Sequence, residues 1–285
     1  MHEELGTRTA DGVTLRIDRV PAQGARRGAV VCLHAMMTDG RYFGARRDDS
    51  FAAELAASGL DVYVADFRGH GRSVPPHAGE DDWSFDDLVE HDLPAIIQLA
   101  ADTSQLPPEQ LSFLGHSLGG LVASAGLGVG KIPSPKRLVL AATSVWLGES
   151  TRRRAIMAAY RGVTALFGRA PIRALRAGTA DESVSYVGQL TSWSMQGRWN
   201  SLRGVDYMVA LETITAPTFA YAGAGDWMCK PSDAEAIARR IRTCGPLRIV
   251  GRKCGDRLDP DHFQLFTRPE LTALRHEVIA QLTAE

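Results

Sequence analysis

The residues around Ser117 constrain the fold of this 285-residue chain more than any other feature. They read Gly115-His116-Ser117-Leu118-Gly119, a G-x-S-x-G pattern. A short apolar run at 110–114 precedes the pattern, as a buried strand would, and small residues at 120–127 follow it, as in a helix that lies close to a sheet. Glycines on both sides of the serine remove the Cβ atoms that would collide in a sharp turn. The sequence therefore predicts a serine held in a strained turn between a strand and a helix.

Alternating strand-like and helix-like segments extend along the chain. A hairpin is predicted at 5–10 and 13–20, around the turn dipeptide Asp11-Gly12. Apolar runs predict further strands at 29–33, 62–65, 110–114, 138–142, 218–222 and 246–250. Helices are predicted at 48–58, 86–101, from 118 onward, 232–242 and 269–283. This alternation predicts an α/β fold with a mostly parallel central sheet flanked by helices.

The segment between the strands at 138–142 and 218–222 breaks the alternation. It predicts a helical cap, or lid, at 145–212, inserted into a core formed by 1–144 and 213–285. From Val145 to Glu212 the sequence contains nine arginines and five acidic residues. This excess is compatible with an anionic substrate or a lipid surface. It is also compatible with solvated helix faces whose arginine stems cover the core.

Composition and charge exclude several classes of protein. The chain is 45% hydrophobic and 23% charged, as is usual for a globular protein. A formal net charge of −1 provides no overall attraction to nucleic acid. No run approaches the roughly 18 apolar residues that a membrane span requires, so no stable membrane insertion is expected. The first residues lack a basic segment followed by an apolar one, which predicts a cytoplasmic location.

Four cysteines lie at 32, 229, 244 and 254. The spacing of Cys244 and Cys254 allows a disulfide, but free thiols are the favoured interpretation in a cytoplasmic protein. There is no C-x-x-C pair or histidine cluster, so no metal site is predicted.

A serine that transfers an acyl group needs a base, an acid that orients the base, and two donors for the oxyanion. After such a serine turn the acid and then the histidine follow in chain order. Asp226 is the best acid, because it lies on a glycine-rich turn just after a predicted strand, with Asp206 and Asp233 as weaker alternatives. His262 is the best base, on the loop before the last helix.

The oxyanion donors are backbone N–H groups, and position alone predicts them. One is Leu118, directly after the serine at the start of its helix, where free N–H groups converge. The other is Met36, in the loop that follows the strand at 29–33. Candidate residues of the substrate pocket are His34, Met37, Trp146, Trp193, Trp199 and Trp227.

These motifs together resemble the α/β-hydrolase superfamily. His34-Ala35 stands where the family often has His-Gly, and Asp66 to Ser73 matches its D-x-R-G-x-G-x-S loop. The closest resemblance is to the capped branch of monoacylglycerol lipases and serine aminopeptidases. The segment at 84–96 is also similar to one in acid lipases and polyhydroxyalkanoate synthases. The resemblance implies an α/β-hydrolase fold, no cofactor, and a bracing role for the loop at 66–73.

The sequence thus predicts a serine hydrolase that cleaves a carboxylic ester through an acyl-enzyme on Ser117. The substrate is expected to be a small molecule with a short, medium or lipid-like acyl group. Three alternatives use the same residues: an acyltransferase, a C–C bond hydrolase or perhydrolase, and a ligand sensor that retains the triad. The sequence does not determine the oligomeric state.

Overall fold

A computed structural model describes residues 2–73, 82–148 and 150–284. Within these ranges, eight strands form one sheet in the order β1-β2-β4-β3-β5-β6-β7-β8. The strands are β1 (Glu3–Arg8), β2 (Thr14–Val20), β3 (Gly28–Leu33), β4 (Leu60–Asp66), β5 (Leu111–His116), β6 (Arg137–Ala141), β7 (Thr218–Gly223) and β8 (Arg248–Val250). The pairs β1–β2 and β2–β4 are antiparallel, and the pairs from β4–β3 to β7–β8 are parallel. This topology confirms the predicted fold class.

Helices connect the strands. They are α1 (Phe51–Ala57), α2 (Phe85–Asp87), α3 (Leu93–Ser104), α4 (Leu118–Gly128), α5 (Thr151–Phe167), α6 (Val184–Gln196), α7 (Tyr207–Ala210), α8 (Pro231–Ala238) and α9 (Thr272–Thr283). A π-helical turn, Leu88–Asp92, joins α2 to α3, so the helix predicted at 86–101 is one helical segment from 85 to 104.

The central strands are buried on both faces. Along β3, Val31 and Leu33 belong to the core cluster that includes α3 and α4, whereas Val30 and Cys32 belong to the cluster that includes α1 and α9. This division follows from the two-residue period of a strand. A strand covered on both faces has few polar positions, which explains the continuous apolar runs of the sequence.

Two boundaries differ from the predictions because of prolines. Strand β8 begins only at Arg248 instead of 246, since Pro246 has no N–H to donate to a strand ladder. Helix α9 begins at Thr272, after a 3₁₀ turn at Pro269–Leu271 that occupies the start of the helix predicted at 269–283.

Helices α5, α6 and α7 lie between β6 and β7 in the chain and outside the sheet. Helices α5 and α6 pack against each other. Tyr186, Val187 and Trp193 of α6 join the core cluster on the α3–α4 face of the sheet. The limits of the cap, 145–212, stay a prediction.

All four cysteines are free thiols; Cys32 and Cys229 are buried, Cys244 is half-buried and Cys254 is exposed. Cys244 and Cys254 are therefore not bridged. No helix in the described ranges is long and apolar enough to cross a membrane. Those ranges also contain no group of three or more histidine, cysteine, aspartate or glutamate side chains placed to hold a metal ion.

Gly119 is the point where α4 touches the end of β3. A Cβ atom on Gly119 would lie 2.2 Å from the carbonyl oxygen of Leu33, which is backbone and cannot turn away. We therefore expect Gly119→Ala to lower the free energy of unfolding by about 1–3 kcal/mol, as overpacking does elsewhere. Urea denaturation followed by circular dichroism would measure this.

Gly162→Ala is the matched control for Gly119→Ala. Gly162 lies in α5 and a Cβ atom there has open space around it. We expect this substitution to raise stability by about 0.5–1 kcal/mol, the usual gain from alanine in a helix. Equal effects of the two substitutions would contradict the close approach at Gly119.

Candidate active site

Ser117 occupies the junction between β5 and α4. Its φ is +52° and its ψ is −111°, in the part of conformational space that favours glycine. The Ser117 N–H donates to the carbonyl oxygen of Ala141 at 2.8 Å, which ties the turn to the end of β6. A Cβ atom on Gly115 would lie 2.4 Å from the Cα of Gly120. Ser117 thus lies in a strained turn between a strand and a helix, where the sequence predicts it.

His262 contacts both Ser117 and Asp226, and all three side chains are buried. The Nδ1 atom of His262 is 2.7 Å from Oδ2 of Asp226, and its Nε2 atom is 2.8 Å from the Ser117 hydroxyl oxygen. A carboxylate only accepts, so Nδ1 carries the proton and Nε2 presents its lone pair to the hydroxyl. This arrangement lets His262 accept the proton of Ser117.

Backbone donors hold the Asp226 carboxylate in place. Its Oδ1 atom accepts hydrogen bonds from the N–H groups of Met228 and Cys229, both at 2.8 Å. The two alternative acids have other partners: Asp206 caps α7, and Asp233 pairs with Arg153. Of the three candidates, the structure therefore brings only Asp226 to His262.

His116, the residue before Ser117, supports the loop of His262. Its Nε2–H donates to the His262 carbonyl oxygen at 2.7 Å, and its ring stacks on Tyr42 with centroids 4.3 Å apart. Burial, together with the proximity of His262, lowers the pKa of His116 well below its usual value. His116 is therefore neutral and serves as a structural support for the loop.

The two predicted oxyanion donors lie close to Ser117. Met36, Leu118, Ser117 and His262 all line one cavity. The Gly119 N–H donates to the carbonyl oxygen of His34 at 2.9 Å, which joins the start of α4 to the loop after β3. Neither Met36 nor Leu118 donates its N–H to a protein acceptor in the described ranges. The assignment of these two N–H groups as oxyanion donors stays a prediction.

The cavity beside Ser117 has a volume of about 210 Å³. Of the predicted pocket residues, Met37, Trp146, Trp193 and Trp227 line it. The prediction missed several lining residues from α4, α5 and α6: Leu121, Ile156, Met157, Tyr160, Tyr186 and Leu190. The lining is mostly apolar, and among the described residues it contains no arginine. The arginine excess of 145–212 therefore does not provide a counter-charge inside this cavity.

Trp199 and His34 do not line the cavity, which corrects two pocket predictions. Trp199 is completely buried and packs on Trp193 and Tyr207, with centroids 6.2 and 5.3 Å away. His34 is also completely buried: its Nδ1–H donates to Ala35 O at 2.7 Å, and its Nε2 accepts from the Phe67 N–H at 3.1 Å. Burial and the nearby His70 lower the pKa of His34 to about 3, so the ring is neutral and holds the loop after β3.

Residues 24–248 of the chain match the family described as serine aminopeptidase, S33. The chain belongs to this family. Membership confirms the resemblance to α/β-hydrolases that the motifs indicated. The matched region includes Ser117 and Asp226 and ends before His262.

Similarity to individual proteins agrees with this family. An alignment over 138 positions with triacylglycerol lipase 2 from Arabidopsis thaliana shows 30% identity and covers 43% of this chain and 32% of that protein. The chain thus spans about a third of the length of the curated relatives it matches. An esterase from Exiguobacterium antarcticum superposes with a TM-score of 0.68 at 18% identity, over 99% of this chain and 100% of that one. A monoacylglycerol lipase from Paleococcus ferrophilus superposes with a TM-score of 0.63 at 15% identity, over 95% and 98% of the two chains.

The D-x-R-G-x-G-x-S loop of this S33 family member is an anchor for its neighbours. The Asp66 carboxylate accepts from the Gly40 N–H at 2.8 Å and from the Arg72 N–H at 2.9 Å. The Arg68 guanidinium pairs with Asp92 and with Asp11, each at 2.7 Å. These contacts are those of a bracing loop, the role that the resemblance implies.

His70, in the same loop, forms a buried ion pair that the sequence did not predict. Its Nδ1–H donates to the Arg68 carbonyl oxygen at 2.8 Å, and its Nε2 lies 3.3 Å from Oε1 of Glu182. Both ring nitrogens face acceptors, a geometry that favours the doubly protonated ring. Burial by itself lowers the pKa of His70. The pKa is nevertheless raised, because the negative charges of Glu182 and Asp66 and the hydrogen bonds to Glu182 and Arg68 outweigh the effect of burial. The neutral ring of His34 packs against it, with centroids 4.8 Å apart.

The raised pKa of His70 predicts how stability depends on pH. A histidine whose pKa is higher in the folded state stabilises the fold fully below its unfolded pKa, about 6.5. That stabilisation is lost as pH rises through the higher folded pKa. We expect the stability advantage of the wild type over His70→Gln to shrink as pH rises above about 6.5. Urea denaturation of both proteins across this range would measure it, and a constant difference would contradict the pair.

Proposed function

We propose that this protein is a serine-dependent carboxylic ester hydrolase, with Ser117 as nucleophile, His262 as general base and Asp226 as the acid that orients it. One observation carries the proposal: the Nε2 atom of His262 lies 2.8 Å from the Ser117 hydroxyl oxygen at the wall of an apolar cavity. The names of the relatives, triacylglycerol lipase for one and esterase for another, support the choice of an ester as substrate.

The reaction proceeds in two halves. His262 takes the Ser117 proton as Oγ forms a bond to the ester carbonyl carbon, and the N–H groups of Met36 and Leu118 stabilise the oxyanion. The C–O bond to the alcohol then breaks, and His262 donates the proton to the departing alkoxide. Water, deprotonated by His262, attacks the acyl-enzyme and releases the carboxylic acid and the free Ser117. Loss of one oxyanion donor costs about 3–4 kcal/mol in well-studied enzymes, so both N–H groups are important.

The cavity favours an uncharged substrate with a small acyl group. Its volume of about 210 Å³ is below the roughly 300–1,000 Å³ of pockets that enclose drug-sized ligands. Met157, Leu190 and Trp193 from the 145–212 segment line it, and this supports a role for that segment as a cap over the acyl chain. We therefore propose a short- or medium-chain ester.

Ser117→Ala is the direct test of the nucleophile. We expect the wild type to release p-nitrophenol from short-chain acyl esters with sustained turnover, and Ser117→Ala to lower kcat by at least about a thousandfold. Ser124→Ala is the matched control, because Ser124 is on the same helix, is buried, and has no hydrogen-bond partner for its hydroxyl within the described ranges. We expect it to retain activity.

Other outcomes of this assay point to other functions. Full activity in Ser117→Ala would refute Ser117 as the nucleophile. A single burst without turnover would indicate a trapped acyl-enzyme, and hence an acyltransferase or a sensor; release that resumes on addition of an alcohol would identify the acyltransferase. Absence of any reaction with esters would favour a C–C bond hydrolase or another substrate class.

Leu190→Trp tests the location of the acyl chain. Leu190 lies on α6 and lines the cavity, so a larger side chain there reduces the space available. We expect kcat/KM for an octanoyl ester to fall about tenfold or more relative to an acetyl ester, as a few excluded methylenes can do. Leu202→Trp is the control, because Leu202 is 69% exposed and does not line the cavity. Equal loss for both esters would contradict the assignment of this cavity to the acyl chain.

A further inference from the structure

The side chain of Glu182 connects the 145–212 segment to the loop that carries Met36. Glu182 lies just before α6, is 1% exposed, and its Oε1 atom accepts a hydrogen bond from the backbone N–H of Met37. A buried carboxylate is costly unless it is paired and hydrogen-bonded. The position of the Glu182 carboxylate beside the Met37 N–H therefore requires an explanation.

The 145–212 segment contacts both backbone hydrogen-bonding groups of Met37. Its N–H donates to Glu182, and its carbonyl oxygen accepts from the N–H groups of Thr179 at 2.8 Å and Ala180 at 3.3 Å. A Cβ atom on Gly178 would lie 2.1 Å from that carbonyl oxygen, so the two chains are in close contact. The side chain of Thr179 also donates to Asp39, further along the loop, at 2.9 Å.

The conformation of Met37 depends on these contacts. Its φ is +60°, a left-handed value that is strained for a residue with a side chain and persists only where the surroundings impose it. Met37 directly follows Met36, the proposed oxyanion donor. The peptide between them carries the Met36 carbonyl and the Met37 N–H, so the contacts of Met37 fix the backbone on the C-terminal side of Met36. Without them the Met36 backbone, and with it the Met36 N–H, could shift from the position that the oxyanion takes. Preorganised donors are effective only when they are held in place.

His70 also contacts the Glu182 carboxylate in this buried position. Its Nε2 atom is 3.3 Å from the Oε1 atom that accepts from Met37, so one carboxylate oxygen links three segments of the chain. These segments are the loop after β3, the loop at 66–73 and the 145–212 segment. We propose that Glu182 is a positioning residue that holds the oxyanion loop in its productive conformation. The inference rests on the proposed function, because it assigns Met36 to the oxyanion.

Two neutral replacements of similar size isolate the hydrogen bond. Glu182→Gln keeps an oxygen that accepts from the Met37 N–H, and its amide can donate to Nε2 of a neutral His70. Glu182→Met fills the same space but has no such acceptor. We expect Glu182→Gln to retain most of the wild-type kcat for a p-nitrophenyl ester. We expect Glu182→Met to lose about tenfold to a hundredfold in kcat with KM changed by less than about twofold.

A tetrahedral adduct provides a readout that a purely structural role would not change. The Ser117 hydroxyl adds to the carbonyl of a trifluoromethyl ketone. The tetrahedral adduct places an oxyanion between the proposed N–H donors of Met36 and Leu118. We expect its Ki to rise in Glu182→Met by about the same factor as kcat/KM falls, since both report stabilisation of the oxyanion. An unchanged Ki in a folded Glu182→Met protein would overturn the proposal.

Two further variants keep the test decisive. Asp181→Ala removes the adjacent carboxylate, which pairs with Arg173, and we expect it to leave kcat unchanged. If Glu182→Met does not fold, Glu182→Asp decides, because it keeps a carboxylate but shortens the side chain by one methylene and so draws the acceptor back from the Met37 N–H. We expect Glu182→Asp to lower kcat, and wild-type kcat in it would refute the inference. A wild type that hydrolyses no ester would instead refute the proposed function.

Discussion

The close contact between the start of α4 and the end of β3 is the constraint on which the site depends. Gly119 lies against the backbone of Leu33 and donates its N–H to His34, so the serine turn and the loop after β3 form one unit. Only a glycine permits this approach, because a Cβ atom would overlap the Leu33 carbonyl. The distance between Ser117 and the Met36 loop is therefore set by backbone contact instead of by flexible side chains.

Buried polar groups then orient the loops around this unit. His34 bridges its own loop and Phe67, Asp66 accepts from Gly40, and Glu182 accepts from Met37. Loops have few apolar contacts to fix them, and a buried polar atom without a partner is costly. These hydrogen bonds therefore favour one arrangement of the loops that local sequence preferences leave open.

The position of the candidate site follows from the architecture of the sheet. The carboxyl ends of parallel strands meet at one edge of the sheet, so residues that follow β3, β5, β7 and β8 lie together although they are far apart in the chain. The 145–212 segment adds apolar side chains to the cavity beside Ser117 and, through Glu182, a direct contact with the loop after β3. One segment thus contributes both to the cavity beside Ser117 and to the proposed positioning of the donors.

The sequence by itself determined the features that have a local signature. Apolar runs and the glycines around Ser117 can be read from the sequence because strand period and turn sterics act over a few residues. The order in which an acid and a histidine follow such a serine turn then pointed to Asp226 and His262. The tertiary structure decided which side chains face the cavity. Trp199 and Trp193 look alike in the sequence and both lie in the core, yet only Trp193 also lines the cavity, because the position of a side chain depends on packing between distant elements. Glu182 had no signal in the sequence at all, since its partners Met37 and His70 lie more than 100 residues away and only the fold brings them together.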